Sequence, residues 1–354
     1  MATASSITTI PLQTGDLDPT FFTLAADESD GVRRICATCT NPGRLQNLSF
    51  LTTFRGGVVS AIPTPVEHRD GVIITSPCFN PIAGRNEIWR MTRDSVAPFA
   101  ACGLEVYDLA TRSVLPLASR NPVSDFASFS FTQDRAYVLA TFDGLQIICF
   151  EGTSRREVPD PAEVSQEDEP ALIWAPAHYH GAVADVWQAN RKQAVGLFQG
   201  IAARQPLTGA LQKQVENFMP PLAAQPAVIW VGQDPRQPAL WALSGPSPQP
   251  DGTIQIIRVV TQGAVGWKLV QVPFASYGGA LSPCANPATG ALQFIDPATG
   301  DIIAVDVNAA TATTLFHSPI DPNGAAMCCD STGGTWVLGN HPQRGPTLWG
   351  RAPA

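Results

Sequence analysis

Apolar positions in this chain come in short bursts, not long stripes. Runs of roughly four to nine β-branched or aromatic residues end near Gly, Pro, Asn or Asp, the pattern of half-buried strands closed by turns. Nineteen such runs can be marked: Leu48–Phe54, Gly57–Ile62, Val72–Thr75, Glu87–Thr92, Leu104–Asp108, Ser113–Leu117, Phe126–Phe131, Ala136–Phe142, Leu145–Glu151, Ala171–Ala175, Ala227–Val231, Leu240–Ser244, Thr253–Thr261, Trp267–Pro273, Ala291–Ile295, Asp301–Val307, Ala312–Phe316, Ala325–Cys329 and Thr335–Leu338. Their turns are chemically explicit. Asn286-Pro-Ala-Thr-Gly290 and Asp296-Pro-Ala-Thr-Gly300 bracket one short strand, and each supplies a preset φ, a side chain that bonds the turn and a Gly for positive φ. Asp143-Gly144 between two runs is a hairpin signal. Both stretches predict antiparallel meanders.

The bursts also repeat. Leu104–Leu115 can be laid on Ile302–Thr313, with Asp108 over Asp306, and both aspartates are expected to bond turn backbones. The first strands of the apparent units start near 71, 126, 170, 227, 279 and 324, at intervals of 55, 44, 57, 52 and 45 residues. Four antiparallel strands per unit of that length is what a propeller blade needs. On this pattern the region from about residue 31 to 354 resembles the β-propeller superfamily. The resemblance implies an all-β propeller of six or seven four-stranded blades, with seven preferred. No Trp-Asp dipeptide marks a WD40 array, and no kelch signature is present. Such folds often close by pairing N- and C-terminal strands, and Thr347–Trp349 beside a strand around Val32–Cys36 is the expected pair.

Two regions depart from the strand pattern. Residues 1–30 are polar and read as an irregular N-terminal arm, with Asp27, Glu28 and Asp30 as a solvated acidic group. Residues 178–221 read as a helical hairpin inserted in the array. Val183, Val186, Trp187, Val195, Phe198 and Ile201 largely follow helical spacing, and Leu207, Leu211, Val215 and Phe218 form a second stripe. Val183, Trp187, Phe198, Leu211, Val215 and Phe218 are the candidate docking residues for a protein partner.

Composition narrows the functions. The net charge is −8, and the 22 basic residues among 354 are scattered, Arg33-Arg34 and Arg155-Arg156 being the densest groups. Nucleic-acid binding and attraction to an anionic membrane are therefore not expected. Residues 1–15 lack a basic segment followed by an apolar run, so cytoplasmic synthesis without a signal peptide is expected, and no stretch has the length of a membrane span. Arg far outnumbers Lys, as in a GC-rich source. The eight cysteines lie mostly in apolar runs and read as buried thiols.

Candidate chemistry is sparse. Cys36-Ala-Thr-Cys39 has the spacing of a metal or redox pair, but on a strand residues three apart face opposite ways. His178 and His180 lie two apart with no acid within four residues. His68, His317 and His341 stand alone and are expected in loops or at strand ends. Gly-x-Ser-x-Gly, His-Glu-x-x-His, a P-loop and repeated calcium loops do not occur. Tryptophans such as Trp241 and Trp349 could line a sugar- or protein-binding surface. The reading is a structural, protein-interaction propeller without cofactor or metal, part of a larger assembly such as a bacteriophage virion or tail. The alternatives are a propeller enzyme of glycosidase, lyase or lactonase type, and a glycan-binding protein with its site at the central channel.

Overall fold

A computed structural model describes residues 6–29, 31–55, 58–59, 63–80, 86–96, 101–120, 122–131, 135–142, 145–151, 155–158, 172–174, 186–189, 193–198, 201–206, 228–233, 239–244, 253–260, 267–273, 284–296, 298–306 and 311–353. These residues are organised in strands: β1 (Ile7–Pro11), β2 (Phe21–Ser29), β3 (Val32–Asn41), β4 (Gln46–Arg55), β5 (Val58–Val59), β6 (Thr64–Asp70), β7 (Ile73–Phe79), β8 (Glu87–Arg93), β9 (Cys102–Asp108) and β10 (Ser113–Arg120). There follow β11 (Pro122–Phe131), β12 (Arg135–Phe142), β13 (Leu145–Glu151), β14 (Glu157–Val158), β15 (Leu172–Trp174), β16 (Val186–Ala189), β17 (Gln193–Phe198) and β18 (Ile201–Pro206). The last are β19 (Val228–Gln233), β20 (Ala239–Ser244), β21 (Thr253–Val260), β22 (Trp267–Pro273), β23 (Cys284–Ala285), β24 (Leu292–Ile295), β25 (Asp301–Asp306), β26 (Thr311–His317), β27 (Ala326–Cys329), β28 (Thr335–His341) and β29 (Gly345–Arg351).

Among the described residues these strands form seven sheets. Six have four strands; the one built from β2–β5 carries β6 as a fifth strand beside β4. Successive strands pair with one another, as the meander turns predict. Each of the nineteen runs marked in the sequence overlaps a strand among the described residues.

The chain divides into two compact units. One comprises Met1–Asp125, Gly278–Ala304 and Thr313–Ala354; the other comprises Phe126–Tyr277 and Val305–Ala312. Within the first unit, β2 packs against both β7 and β27, and β23 against β27. Within the second, β15 packs against β19. In each case an end strand of one sheet meets an end strand of another. The core of the first unit fills the space between such sheets. One cluster holds Ile10, Phe22, Ile35, Cys39, Phe50, Phe54, Trp336 and Leu348; another holds Cys284, Ile295, Ile302, Met327, Val337 and Trp349.

The turn sequences act as their chemistry requires. Oδ1 of Asn286 accepts from the N–H groups of Ala288 and Thr289 at 3.0 and 3.2 Å, and Oδ1 of Asp296 accepts from that of Ala298 at 2.8 Å. Oδ1 of Asp108 accepts from Ala110 and Thr111 at 2.8 and 2.9 Å, as expected for a turn aspartate. The fifth residue of each motif is left-handed: Gly290 at φ 71°, Gly300 at φ 76°, and Arg112 at φ 55° where no glycine is available.

Three expectations are corrected. Where an irregular arm was expected, Ile7–Pro11 and Phe21–Ser29 are the strands β1 and β2. The acidic residues that suggested solvation stand opposite arginines, Asp27 facing Arg34 and Glu28 facing Arg33 across the β2–β3 pair. The strand that joins the C-terminus is β1, not Val32–Cys36: Thr9 faces Trp349 and Ile10 faces Leu348 on β29. Finally, Val186–Ala189, Gln193–Phe198 and Ile201–Pro206 are strands where a helix was expected. β16, β17 and β18 form a meander there, with Phe198 opposite Ile201. Short apolar runs satisfy helical and strand spacing alike, and Gly196 and Gly200 disfavour the helix by about 1 kcal/mol each. The second expected helix, 207–219, lies outside the described residues.

Candidate functional site

A dense polar constellation lies in the first unit, where the end of the β2–β3 hairpin meets the β27–β28 turn. Asp330, buried to 1 % side-chain exposure, organises it. Its Oδ1 accepts from the N–H and hydroxyl of Thr332 (2.9 and 2.7 Å) and from the N–H of Gly334 (2.9 Å). Its Oδ2 accepts from Nε1–H of Trp336 (2.8 Å) and from the Arg33 guanidinium (2.6 Å). Five donors on one carboxylate fix the turn, the tryptophan ring and the hairpin of a neighbouring sheet together. Charge-assisted bonds of this kind are the stronger class. The Trp336 ring lies 4.8 Å from that of Phe54 on β4. At the rim, the Ser331 hydroxyl bonds Glu28, and Arg34 pairs with Asp27 and donates to Asn86 Oδ1 at 2.5 Å. The Arg34 guanidinium also stacks over Phe79, 5.1 Å from its centroid. The described residues beside the hairpin end thus bring charges of both signs together.

A second network joins the β2–β6 and β7–β10 sheets. Strand alternation puts Glu67 and Arg69 on one face of β6, and Glu105 and Tyr107 on one face of β9. Arg90 of β8 stands directly opposite Glu105 and donates to it through Nε at 2.7 Å. Its two terminal nitrogens grip Glu67, one at 2.6 Å, and Arg69 completes the group on Glu105. The Arg90 guanidinium also lies 5.0 Å from the Tyr107 ring centroid, and the Tyr107 hydroxyl donates to the Val66 carbonyl at 2.7 Å. Burial alone would lower the Arg90 pKa, but the hydrogen bonds and charges of Glu67 and Glu105 outweigh it and the net shift is upward. Two arginines and two glutamates balance, so this buried group holds sheets together. Its sequence signal is an arginine in the middle of the strand run Glu87–Thr92.

Cys36 and Cys39, both on β3, do not converge. Cys36 packs with Ala25, Phe79 and Ile88, and Cys39 with the cluster of Ile10, Phe50 and Trp336. Burial pushes the Cys36 thiol up to about 12, against the pull of Arg90, and burial raises Cys39 as well. Neither is a thiolate at neutral pH. Elsewhere, Cys284 and Cys329 bring their sulfurs to 2.9 Å, a pairing that sequence spacing does not announce.

The other candidates are placed as follows. Trp187 lies on β16 and Phe198 on β17, while Val183, Leu211, Val215 and Phe218 fall outside the described residues, as do His178 and His180. His317 and His341 end their strands as expected; His68 lies within β6. His317 Nδ1 is 3.0 Å from Asp301; the histidine is exposed and the aspartate half-buried. Trp349 belongs to the core, with the Phe316 ring 5.7 Å away, and is not a surface aromatic. Among the described residues no three His, Cys, Asp or Glu gather as a metal site, and no helix is long and apolar enough to cross a membrane.

No protein-family model matches the chain, and no curated protein matches it. Solved structures do. The WD40 domain of Toxoplasma gondii coronin aligns with a TM-score of 0.56 at 12% identity, over 98% of this chain and 86% of that one. Kuenenia stuttgartiensis hydrazine synthase aligns at 0.53 and 9% identity, over 95% of this chain and 98% of that one. A prolyl endopeptidase aligns at 0.52 and 13% identity, over 94% of this chain but 47% of that one. At these identities the likeness is one of fold: the chain has a β-propeller fold.

Proposed function

We infer that this chain is a seven-bladed propeller that acts as a non-enzymatic scaffold for protein partners within a larger assembly, of which a bacteriophage virion or tail is one example. Each of the seven sheets is taken as one blade. The observation that carries the reading is the use made of buried charge. Asp330 with Arg33, and Arg90 with Glu67 and Glu105, join neighbouring sheets, and their carboxylates are already engaged by guanidinium groups. Such networks give a stiff frame on which loops and hairpin ends keep fixed positions. Stiffness favours recognition, because little ordering entropy is lost on binding. The mixed-charge group beside the end of the β2–β3 hairpin is the surface offered, and electrostatic complementarity there would select the partner. The fold is shared with a WD40 domain and with enzymes alike, so the reading rests on the buried charge and not on the likeness.

Sedimentation of native source material, with mass spectrometry across the fractions, tests the proposal. The chain should travel with particles far above its 37.6 kDa. Recovery as a free monomer at physiological concentration would overturn it.

A further inference from the structure

Two directly opposed residue pairs on adjoining sheets face each other in the first unit. Cys284 of β23 stands opposite Gln293 of β24, and Cys329 of β27 stands opposite Thr335 of β28. Gln293 Oε1 accepts from the Thr335 hydroxyl at 2.7 Å and from the Cys329 thiol at 3.4 Å, so it orients Cys329 from the other sheet. The two sulfurs are then 2.9 Å apart, closer than ordinary contact of two sulfurs and longer than an S–S bond of about 2.05 Å. Cys328 cannot substitute for its neighbour. It points to the opposite face of β27 and packs with Phe54 and Trp336, whereas Cys329 packs with Cys284, Ile295 and Met327.

We propose that Cys284 and Cys329 are an oxidisable pair, and that a peroxide converts them to a disulfide joining β23 to β27. In the first step one sulfur attacks a peroxide oxygen, the O–O bond breaks, and a sulfenic acid and one water are formed. In the second the other sulfur attacks the sulfenic sulfur, the S–O bond breaks, and its hydroxyl leaves with the thiol proton as a second water. The two sulfurs lose two electrons and the peroxide gains them. Both residues are buried, at 4 % exposure, so the first step waits on local opening of the sheet junction. Once one sulfur is oxidised, the other is already in place. The bond closes a loop between residues 45 apart and is expected to raise the midpoint of thermal unfolding by about 5 °C.

The test uses the full chain treated with hydrogen peroxide, with remaining thiols blocked by N-ethylmaleimide under denaturing conditions and the digest analysed unreduced by mass spectrometry. The expected product is the Cys284 peptide joined to the peptide of Cys328 and Cys329, lighter by two hydrogens, with fragmentation placing the bond on Cys329. Cys328→Ser should give the same cross-link. Complete blocking of both Cys284 and Cys329 by the maleimide after peroxide treatment, or a bond on Cys328, would overturn the proposal. The wild-type digest decides this even if a variant does not fold.

Discussion

Trp336 lies directly across the strand pair from Gly350, and its ring fills the space that a side chain on Gly350 would need. A Cβ at residue 350 would overlap the benzo ring, which cannot retreat because Asp330 holds its Nε1–H and Phe54 backs it. Gly350→Ala should therefore lower the free energy of unfolding by about 1–3 kcal/mol through overpacking. Gly43→Ala meets only ordinary contact with Asn41 and should stay within about 0.5 kcal/mol of the parent. Urea midpoints at unchanged slope make the comparison.

Removing Arg90 should be among the most damaging single changes. Arg90→Met leaves Glu67 buried without its counter-charge and Glu105 with Arg69 alone, which costs about 3–5 kcal/mol. Arg90→Lys keeps the charge but loses the two-pronged grip on Glu67, so it should recover only part of the loss. Denaturant unfolding of the three proteins measures both steps.

A gain is expected at Arg112. Its left-handed backbone costs a non-glycine residue about 1–2 kcal/mol, and glycine returns about 0.5–1 of that as chain entropy. Arg112→Gly should thus raise stability by about 0.5–1 kcal/mol, while Asp108→Ala, which removes the bonds to Ala110 and Thr111, should lower it by about 1 kcal/mol. Thermal midpoints of opposite shift are the readout.

Stability should fall on the alkaline side. Burial raises the thiols of Cys36, Cys39, Cys284 and Cys328 above their ordinary value of 9.0. A raised value means that the folded state keeps a proton the unfolded state releases. The stabilisation is whole below about pH 9 and is lost as pH climbs, for Cys36 toward about 12. Each thiol contributes a slope of up to about 1.4 kcal/mol per pH unit in that window. Unfolding under reductant between pH 7 and pH 10 should show a plateau and then a decline, and Cys36→Ala should make the decline shallower.

Local structure was legible from sequence where the signal is local. The strand runs, the Asp-Pro-Ala-Thr-Gly turns and the repeat can be read without a partner. The starts expected near 126, 170, 227 and 324 lie close to Pro122, Leu172, Val228 and Ala326, where β11, β15, β19 and β27 begin. The failures have a common cause. Asp27 and Glu28 look solvated until Arg34 and Arg33 are placed across the hairpin. Val195 and Phe198 fit a helix until strand pairing decides. The Arg90 network and the Cys284–Cys329 contact join residues 15 to 45 positions apart, and only the stacking of sheets brings them together.

The stiff frame that the scaffold reading requires also needs β1 to complete the sheet of β27, β28 and β29, because an unpaired β29 would be an open edge and a site of fraying. Hydrogen exchange of the backbone amides in the full chain tests this directly. Peptides covering Ile7–Pro11 and Gly345–Arg351 should exchange slowly and together, in one cooperative unit. Free exchange of Ile7–Pro11 while Gly345–Arg351 stays protected would contradict the account.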